Sequence, residues 1–486
     1  MQRSIVVLCG WYGAILVTAV QAEDPSLPDQ SVQAMHRATE FFRSRVSTEG
    51  GYLWRYSEDL SRREGEGKAS ATMVWVQPPG TPSVGMAYLD AYEATGDEYF
   101  LKSATETAEA LVRGQLRSGG WDYRIEFDPQ QRKRYAYRVD GEQPAERNVS
   151  TLDDDTTQAA LRCLMRVDEA LGFKHERIHE AALYALTHLI DAQFPNGAWP
   201  QRFEKATDPS RYPVRKASYP DSWSRTFPDD RYSGYYTLND RAIPDMIDTM
   251  LEAGRIYQEK RFRDSAERGG GFLLLAQMPA PQPAWAQQYD MDMHPAWARK
   301  FEPPAVTGGE SQAVMRTLLM LYRETGDRKY LEPLPRALAY LRDSRLADGQ
   351  LARFYELKTN RPLYFTREDY ELTYSDADMP THYSFKTADQ TGAITREYER
   401  LLNMDPEELQ ATTRASKPRM SRGLEQQARA VIAALDEHGR WVEEGRLRYH
   451  GEDDPTRRII DCQTFITNMK ALSNYLAATQ SDGARP

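Results

Sequence analysis

The residues of this sequence that could do chemistry are arginines in short motifs between apolar helical patterns. Arg353 and Arg367 share one stretch, and Arg299 follows Trp297 in another. A guanidinium presents a planar fork of N–H donors that matches the two oxygens of a carboxylate. Arginines gathered in this way indicate a ligand that carries carboxylates.

The overall charge of the chain would not attract such a ligand. The protein has 486 residues and a formal net charge of -10, and its basic residues form no stripe. This charge argues against a nucleic-acid-binding protein. An anionic ligand must therefore be drawn in by arginines concentrated at one site.

The elements that must position these residues are predicted to be helices. Seven segments carry apolar residues at three- and four-residue spacing, which is typical of amphipathic helices. These segments are 32–45, 84–94, 99–116, 156–170, 177–193, 243–258 and 311–322. Very little of the sequence is typical of strands, so the predicted fold class is all-α.

Short turns with glycine or proline and an aromatic residue separate the helical patterns. Their spacing suits a unit of two helices plus loops better than a tight solenoid repeat, and it predicts an α/α toroid of about six helical hairpins. Long irregular loops at one end of the inner helices would surround a cleft. We expect Trp54 and Trp441 to pack in the hairpin core. We expect Trp199, which polar residues follow, to bind substrate in the cleft.

Residues 1–22 have the pattern of a secretory signal peptide. A short basic start precedes an apolar segment at 5–17, and small residues occur at Val20-Gln-Ala22. An uncleaved membrane anchor is the alternative, but the apolar run is short for a bilayer. We expect a secreted or periplasmic protein. Cys163 and Cys462 would remain after cleavage, and two cysteines are too few for a disulfide scaffold.

Several motifs follow one another in a recognisable order. They are Gly119-Gly-Trp121, Ser150-Thr-Leu-Asp153, Asn196-Gly-Ala-Trp-Pro-Gln201, Tyr236-Thr-Leu-Asn-Asp240, Pro295-Ala-Trp-Ala-Arg299, Gly309-Glu-Ser311, and Ala352-Arg-Phe-Tyr-Glu356 with Thr359-Asn-Arg-Pro362. Together they resemble the pectate lyases of polysaccharide lyase family 10, over residues 99–386. The resemblance implies an enzyme that cleaves 4-linked galacturonan by β-elimination.

Such a reaction removes the C5 proton of a uronate while negative charge builds on the adjacent carboxylate, so this charge must be neutralised. Calcium is a hard cation that prefers oxygen ligands. The resemblance implies that Asp240 binds calcium and that Asp153 lies at the active centre, and we expect both to be metal ligands. Asp154 and Asp155 are additional candidates. The alternative for these aspartates is a helix N-cap, because anions favour that end of a helix.

The resemblance also implies that Arg299 is the Brønsted base. A guanidinium is normally protonated throughout the accessible pH range. A base of very high pKa nevertheless matches a weak carbon acid, and calcium and other arginines nearby would disfavour the charged form. We therefore expect an alkaline activity optimum. The alternative is a structural salt bridge from Arg299 to Glu302 or Asp290.

Three further arginines are implied to bind substrate, namely Arg316, Arg353 and Arg367. For Arg316 the alternative is a solvated surface charge. The expected partner is an acidic polysaccharide, polygalacturonate or a related uronan. We expect no nucleic acid, no membrane contact after signal cleavage, and a monomer.

The remaining chain is predicted to complete the toroid. Residues 23–98 would form an N-terminal helical hairpin region, 99–386 the pectate-lyase-like catalytic region, and 387–486 a C-terminal helical region packed on the toroid. Residues 204–234 have the length and composition of a loop that forms a cleft wall.

The sequence departs from the family pattern beside the expected cleft. Arg241 stands where the family has a second aspartate, Asp153-Asp154 where it has Asp-Asn, and Arg202-Phe-Glu204 where it has an aromatic residue and a proline. Two other functions therefore stay open. A hydrolase could use Asp153 with Asp240 or Glu310 as its two carboxyl groups. A non-catalytic uronan-binding protein would bind without shortening the polymer.

Overall fold

The computed structural model describes residues 25–229, 232, 234–405, 408–409 and 418–483. The predicted signal peptide at 1–22 lies outside these residues and stays a prediction. Among the described helices, not one combines the length and the apolar character that a membrane crossing requires.

Helices dominate the described structure. The described residues contain twelve α-helices. Each of the seven predicted helices is confirmed, and in all but α4 the ends differ from the predicted ones by a few residues. The twelve helices are α1 (Leu27–Phe41), α2 (Thr81–Thr95), α3 (Glu98–Gly114), α4 (Thr156–Ala170), α5 (Glu176–Ala192), α6 (Ala242–Tyr257), α7 (Lys260–Leu275), α8 (Gly309–Thr325), α9 (Leu334–Asp343), α10 (Thr391–Leu402), α11 (Arg422–Ala434) and α12 (Cys462–Gly483).

The helices form the predicted α/α toroid. Alternate helices pack side by side as an inner series, in the order α12, α2, α4, α6, α8 and α10. Each of α2, α4 and α6 also packs against the helix that follows it, which lies in an outer series. The contact of α12 with α2 brings the C-terminal region onto the N-terminal one. One continuous hydrophobic core contains buried residues from Ala34 to Leu476.

The turns with a tryptophan share one packing arrangement. In four of them the indole N–H donates to a backbone carbonyl of the outer helix that precedes the turn, at 2.8–3.0 Å. The pairs are Trp121 with Leu111, Trp199 with Leu189, Trp285 with Leu273 and Trp441 with Val431. All four indoles are buried. A buried indole N–H needs such a partner, so each tryptophan fixes its turn to its own hairpin.

Short strands, which the helical periodicity did not predict, connect the helices. They are β1 (Arg55–Ser57), β2 (Arg63–Gly65), β3 (Gly67–Lys68), β4 (Met73–Trp75), β5 (Arg124–Glu126), β6 (Ser150–Thr151), β7 (Arg202–Phe203), β8 (Tyr236–Thr237), β9 (Gln288–Tyr289), β10 (Ala305–Thr307), β11 (Leu351–Ala352), β12 (Phe354–Glu356), β13 (Pro362–Phe365), β14 (Leu372–Thr373), β15 (Lys386–Thr387), β16 (Glu443–Glu444) and β17 (Arg458–Asp461).

Two of the sheets have more than two strands. The order β16-β17-β1-β2-β3 joins the N-terminal and C-terminal regions in one antiparallel sheet. The order β10-β12-β13-β14 forms a second sheet beside a smaller buried cluster that includes Trp297. The Trp297 indole donates to the carbonyl of Ser224 at 2.9 Å, and Phe227 packs on its ring. These contacts fix Ser224 and Phe227 next to the second sheet.

Candidate functional site

Two matching turns carry the predicted metal ligands. The turn Asp153–Asp155 lies between β6 and α4, and the turn Asn239–Arg241 lies between β8 and α6. Asp154 and Asp240, in the middle of the turns, have φ values of 49° and 47°, and the residue after each is also left-handed. Left-handed backbone is uncommon outside glycine, although aspartate tolerates it better than most residues. The shared backbone path gives Asp154 and Asp240 equivalent places at the starts of two adjacent inner helices.

The two turns bring three carboxylates together. Asp153, Asp154 and Asp240 each offer one oxygen, and these three oxygens lie within 4.8 Å of one another. Burial and the charges of Asp153 and Asp240 raise the pKa of Asp154 to about 7. Burial and the charge of Asp153 also raise the pKa of Asp240. Clustered oxygen donors whose negative charges repel one another fit a hard divalent cation.

The N-cap alternative for these aspartates is wrong. Within the described residues, no helix backbone N–H donates to the side chain of Asp153, Asp154 or Asp240. Asp153 instead accepts a hydrogen bond from the Tyr123 hydroxyl at 2.9 Å. Asp155 is not part of the cluster, because both of its oxygens bind the Arg162 guanidinium at 2.5–2.7 Å.

The carboxylate cluster opens into a cavity of about 600 Å³. Six acidic side chains and two arginines line it, so acidic groups exceed basic ones by four (6 - 2). The acidic residues are Glu66, Asp153, Asp154, Asp229, Asp240 and Glu302, and the basic residues are Arg202 and Arg299. A polyanion would be repelled from this cavity unless a cation is also bound.

Arg299 lines this cavity and is also held by an ion pair. Its side chain is 43% exposed, and Nη2 donates to Oε1 of the buried Glu302 at 2.6 Å. The Arg299 backbone N–H donates to the other oxygen of Glu302 at 3.0 Å. Burial opposes the charge of Arg299, but the hydrogen bond and ion pair with Glu302 outweigh it and raise its pKa. The salt-bridge alternative to Glu302 is therefore present, whereas Asp290 faces His294.

The raised pKa corrects one expectation about Arg299. The sequence led us to expect surroundings that disfavour the charged guanidinium, but Glu302 favours it. Tyr383, which also lines the cavity, donates to Glu302 Oε1 at 2.9 Å. Glu302 thus fixes both neighbours by hydrogen bonds, and Arg299 can lose its proton only at strongly alkaline pH.

Arg353 lies behind this group. Its guanidinium is 4.3 Å from the centre of the Tyr383 ring and donates to Asn239 Oδ1 at 3.2 Å and Glu310 Oε1 at 3.0 Å. The side chain is 20% exposed. Arg353 therefore supports the turn that carries Asp240, and its contact with substrate stays a prediction.

The other two predicted substrate arginines do not line the cavity. Arg316 is exposed on α8 and donates to Gln390 Oε1 at 2.5 Å. Arg367 is exposed, lies 3.5 Å from Asp378 and donates to the carbonyl of Met379. The structure does not bring either residue together with Arg299, so a role for them would have to lie on the surface outside the cavity.

The prediction that Trp199 binds substrate is wrong. Trp199 is 1% exposed, and a Cβ on Gly269 would lie 2.7 Å from its ring. The indole belongs to the repeated hairpin packing described above. The polar residues after Trp199 suggested exposure, but they begin only where the chain has left the core.

Replacing Trp199 by phenylalanine should therefore lower stability without affecting substrate affinity. The change leaves the Leu189 carbonyl without its partner, which costs about 1–3 kcal/mol for a buried polar group. We expect a lower thermal unfolding midpoint and a KM within about twofold of the wild-type value, which is under 0.5 kcal/mol. A raised KM with unchanged stability would restore the substrate-binding interpretation.

The departures from the family pattern have different places in the site. Arg241 turns away from the carboxylate cluster, because Asp245 on α6 binds its guanidinium at 2.9 Å. Arg202 does line the cavity. It pairs with Thr151 in the register of β6 and β7, and Thr151 comes just before the turn that carries Asp153 and Asp154. Asp229 and Tyr232 from the loop at 204–234 also line the cavity. These two residues of the predicted cleft wall therefore do face the cavity.

Some lining residues were missed or undervalued. Asp154 was only an additional candidate, although the repeated Thr-Leu before both acidic turns could have shown that it corresponds to Asp240. Tyr383 lies in a stretch without helical periodicity. Glu66 comes from residues 23–98, outside the family resemblance, and no sequence signal marks it.

A comparison with protein families gives one match. Residues 115–351 match the family described as pectic acid lyase. The matched segment, just under half of the 486-residue chain, is similar to pectic acid lyases and indicates a polysaccharide lyase. It contains the acidic turns and Arg299, whereas Glu66 and Tyr383 lie outside it.

Solved structures provide more distant similarities to this chain. A family 10 polysaccharide lyase from Cellvibrio cellulosa is 20% identical with a TM-score of 0.44, over 66% of this chain and 98% of that chain. A mutant of that lyase in complex with trigalacturonic acid is 19% identical with a TM-score of 0.43, over the same shares. A D-mannose isomerase is 14% identical with a TM-score of 0.45, over 94% and 99%. No curated protein matches the chain significantly.

Proposed function

We propose that this lyase cleaves 4-linked galacturonan by β-elimination, with calcium held by Asp153, Asp154 and Asp240 and with Arg299 as the base. One observation carries the proposal. The family acts on a polyanion, yet the cavity has an excess of four acidic side chains. A bound divalent cation resolves this conflict, and the three converging carboxylates are its natural ligands.

Each residue has a separate task in this proposal. The three carboxylates hold the ion, which when bound supplies positive charge to the substrate carboxylate and so makes the C5 proton more acidic. Arg299 accepts the C5 proton. The C5–H electron pair forms the C4–C5 double bond, the bond from C4 to the glycosidic oxygen breaks, and that oxygen takes a proton from water.

The contacts of Arg299 determine how its activity should depend on pH. Glu302 raises the pKa of Arg299, and only the neutral guanidine can accept a proton. The fraction of active enzyme therefore increases as the pH rises toward that pKa. Glu302 and Tyr383 would hold the guanidine in one orientation, which supports proton transfer from a fixed direction.

Ultraviolet absorbance during incubation with polygalacturonate at alkaline pH tests the proposal. We expect absorbance from the unsaturated product to rise with added calcium and to stop with a chelator. New reducing ends without absorbance would identify a hydrolase instead. Binding without either signal would identify a uronan-binding protein.

The hydrolase alternative has less support from the geometry. Paired carboxyl groups in glycoside hydrolases are about 5–5.5 Å or about 6.5–9.5 Å apart, because water or a sugar carbon must fit between them. One oxygen of each of Asp153, Asp154 and Asp240 lies closer than this, within 4.8 Å of the other two. Glu310 is buried and bound to Arg353. This spacing favours an ion over a pair of catalytic acids.

A further inference from the structure

A second cavity of about 500 Å³ lies beside the first. Glu66 and Arg202 line both cavities, so they mark the boundary between them. The second cavity is also lined by Trp75, Asp122, Tyr123, Arg124, Glu146 and Arg147. The Tyr123 hydroxyl donates to Asp153 at 2.9 Å, which connects this cavity directly with the carboxylate cluster.

The floor of the second cavity is built by two paired strands. The register of β4 and β5 places Trp75 opposite Arg124, and the Arg124 guanidinium lies 5.8 Å from the centre of the indole. A Cβ on Gly65 would lie 2.2 Å from the ring atom Cδ2 of this indole and would overlap it. Glycine at this position therefore lets the β2–β3 hairpin lie against Trp75, and the tip of that hairpin carries Glu66.

The charges in this cavity are only partly neutralised by the protein. Asp122 lies 3.8 Å from Arg147, and Glu146 pairs with Arg134 at 3.3 Å. Arg124 and Arg202, by contrast, have no carboxylate within 4 Å among the described residues, and each lies beside an aromatic ring.

Neither guanidinium forms an ion pair within the described residues, so both positive charges are available to an anionic ligand even though the chain has a net charge of -10. A guanidinium held against an aromatic face keeps its N–H edge free for a planar anion. Arg124 and Arg202 therefore offer a binding site for a carboxylate.

We propose that the second cavity is an additional subsite for a uronate unit of the polymer, whose carboxylate binds Arg124 and Arg202. This inference rests on the proposed function, because that function supplies a chain with one carboxylate per sugar unit. A polymer whose cleavage site is at the carboxylate cluster would pass Glu66 and place a more distant unit between the two arginines. Glu66 would repel a carboxylate at the boundary and so favour those chain positions in which the carboxylates lie on either side of it.

The test measures affinity as a function of chain length. Isothermal titration calorimetry would give the Kd of galacturonate oligomers of increasing length in the presence of calcium. The proteins compared would carry Arg299→Ala, alone or combined with Arg124→Ala. Arg177→Ala serves as the matched control, because Arg177 is an exposed arginine bound to Glu109 and lines neither cavity.

We expect the affinity to increase once the oligomer is long enough to enter the second cavity. Loss of the charged hydrogen bonds in Arg124→Ala should remove this increase, about tenfold, while the affinity of the shortest oligomers stays unchanged. Methyl-esterified oligomers should bind both proteins equally. An increase that persists in Arg124→Ala, or the absence of any increase in the parent protein, overturns the proposal.

Two features keep the test independent of folding and of the proposed reaction. If Arg124→Ala does not fold, Arg124→Gln retains most of the side chain without its charge and should give the same loss. If the protein binds uronan without cleaving it, the proposed function fails in the absorbance assay, but the length dependence still decides whether the subsite exists.

Discussion

Replacing Arg299 by alanine should lower kcat with polygalacturonate by about 10²- to 10⁴-fold, the usual contribution of a general base. The guanidinium lines the cavity next to the carboxylate cluster, so its removal leaves the C5 proton without an acceptor. The calcium site stays intact, and we expect the Kd for substrate to change by less than about tenfold. Steady-state kinetics and calorimetry measure the two quantities separately.

The control for this change is Arg177→Ala, which also removes an exposed, ion-paired arginine. It should leave kcat unchanged. Arg299→Ala leaves the buried Glu302 without its ion-pair partner, so unfolding curves must show that the variant is folded under the assay conditions. If the folded variant keeps substantial activity, the base is another group.

The variant Glu302→Gln separates catalysis by Arg299 from a merely structural role. Glutamine retains a hydrogen-bond acceptor for Arg299 but removes the negative charge that raises the pKa of its guanidinium. If Arg299 is the base, a lower pKa increases its neutral fraction, and the rising limb of the pH profile moves to lower pH. A structural ion pair would instead give lower activity with an unshifted profile.

Apolar periodicity predicted the helices in which the apolar spacing is regular. It missed a helix in which close packing requires glycine. The start of α4 at Thr156 and its end at Ala170 agree with the pattern. Helix α7 was missed because it contains Gly269-Gly-Gly271, which disfavours a helix. The structure explains two of these glycines, since a Cβ on Gly269 would meet Trp199 and one on Gly270 would meet Leu321 and Tyr330. Close packing of neighbours has outweighed local propensity.

The site was predictable where motifs precede helices and was hidden where it depends on distant chain segments. The motifs before α4 and α6 led to Asp153 and Asp240, and the structure brings them together. Glu66 reaches the same cavity only because β2 pairs with β1, which in turn pairs with β17 from the C-terminal region. Such long-range pairing leaves no local signal. For Trp199 the local sequence was misleading. The polar residues after it suggested exposure, but sequence neighbours do not determine whether an indole faces the core, and this one is buried.

Removing one carboxylate from the acidic cluster should strongly reduce calcium affinity. Asp154→Asn should weaken calcium binding by at least about 10- to 100-fold, the loss reported for outer-shell partners of a metal site. Activity at low calcium should fall accordingly and recover in part when calcium is raised. Asp155→Asn is the matched control, since Asp155 is the next residue but binds Arg162 outside the cluster. It should change stability but not calcium affinity.

The same cluster determines how calcium affinity depends on pH. Without the ion, burial and two neighbouring carboxylates raise the pKa of Asp154 to about 7. A carboxyl group whose pKa is higher in the folded than in the unfolded protein stabilises the fold at low pH and destabilises it as the pH rises through about 7. Calcium binds the deprotonated form, so its affinity should increase from pH 6 to pH 8.

Thermal unfolding with and without calcium measures this linkage. The calcium-free protein should unfold at lower temperature at pH 8 than at pH 6, and calcium should raise the midpoint more at pH 8. In Asp154→Asn the difference between the two pH values should shrink, because the neutral amide has no proton to lose. Equal effects of calcium at both pH values in the wild-type protein would mean that the three carboxylates do not act together as its site, and the excess of acidic groups in the cavity would then need another explanation.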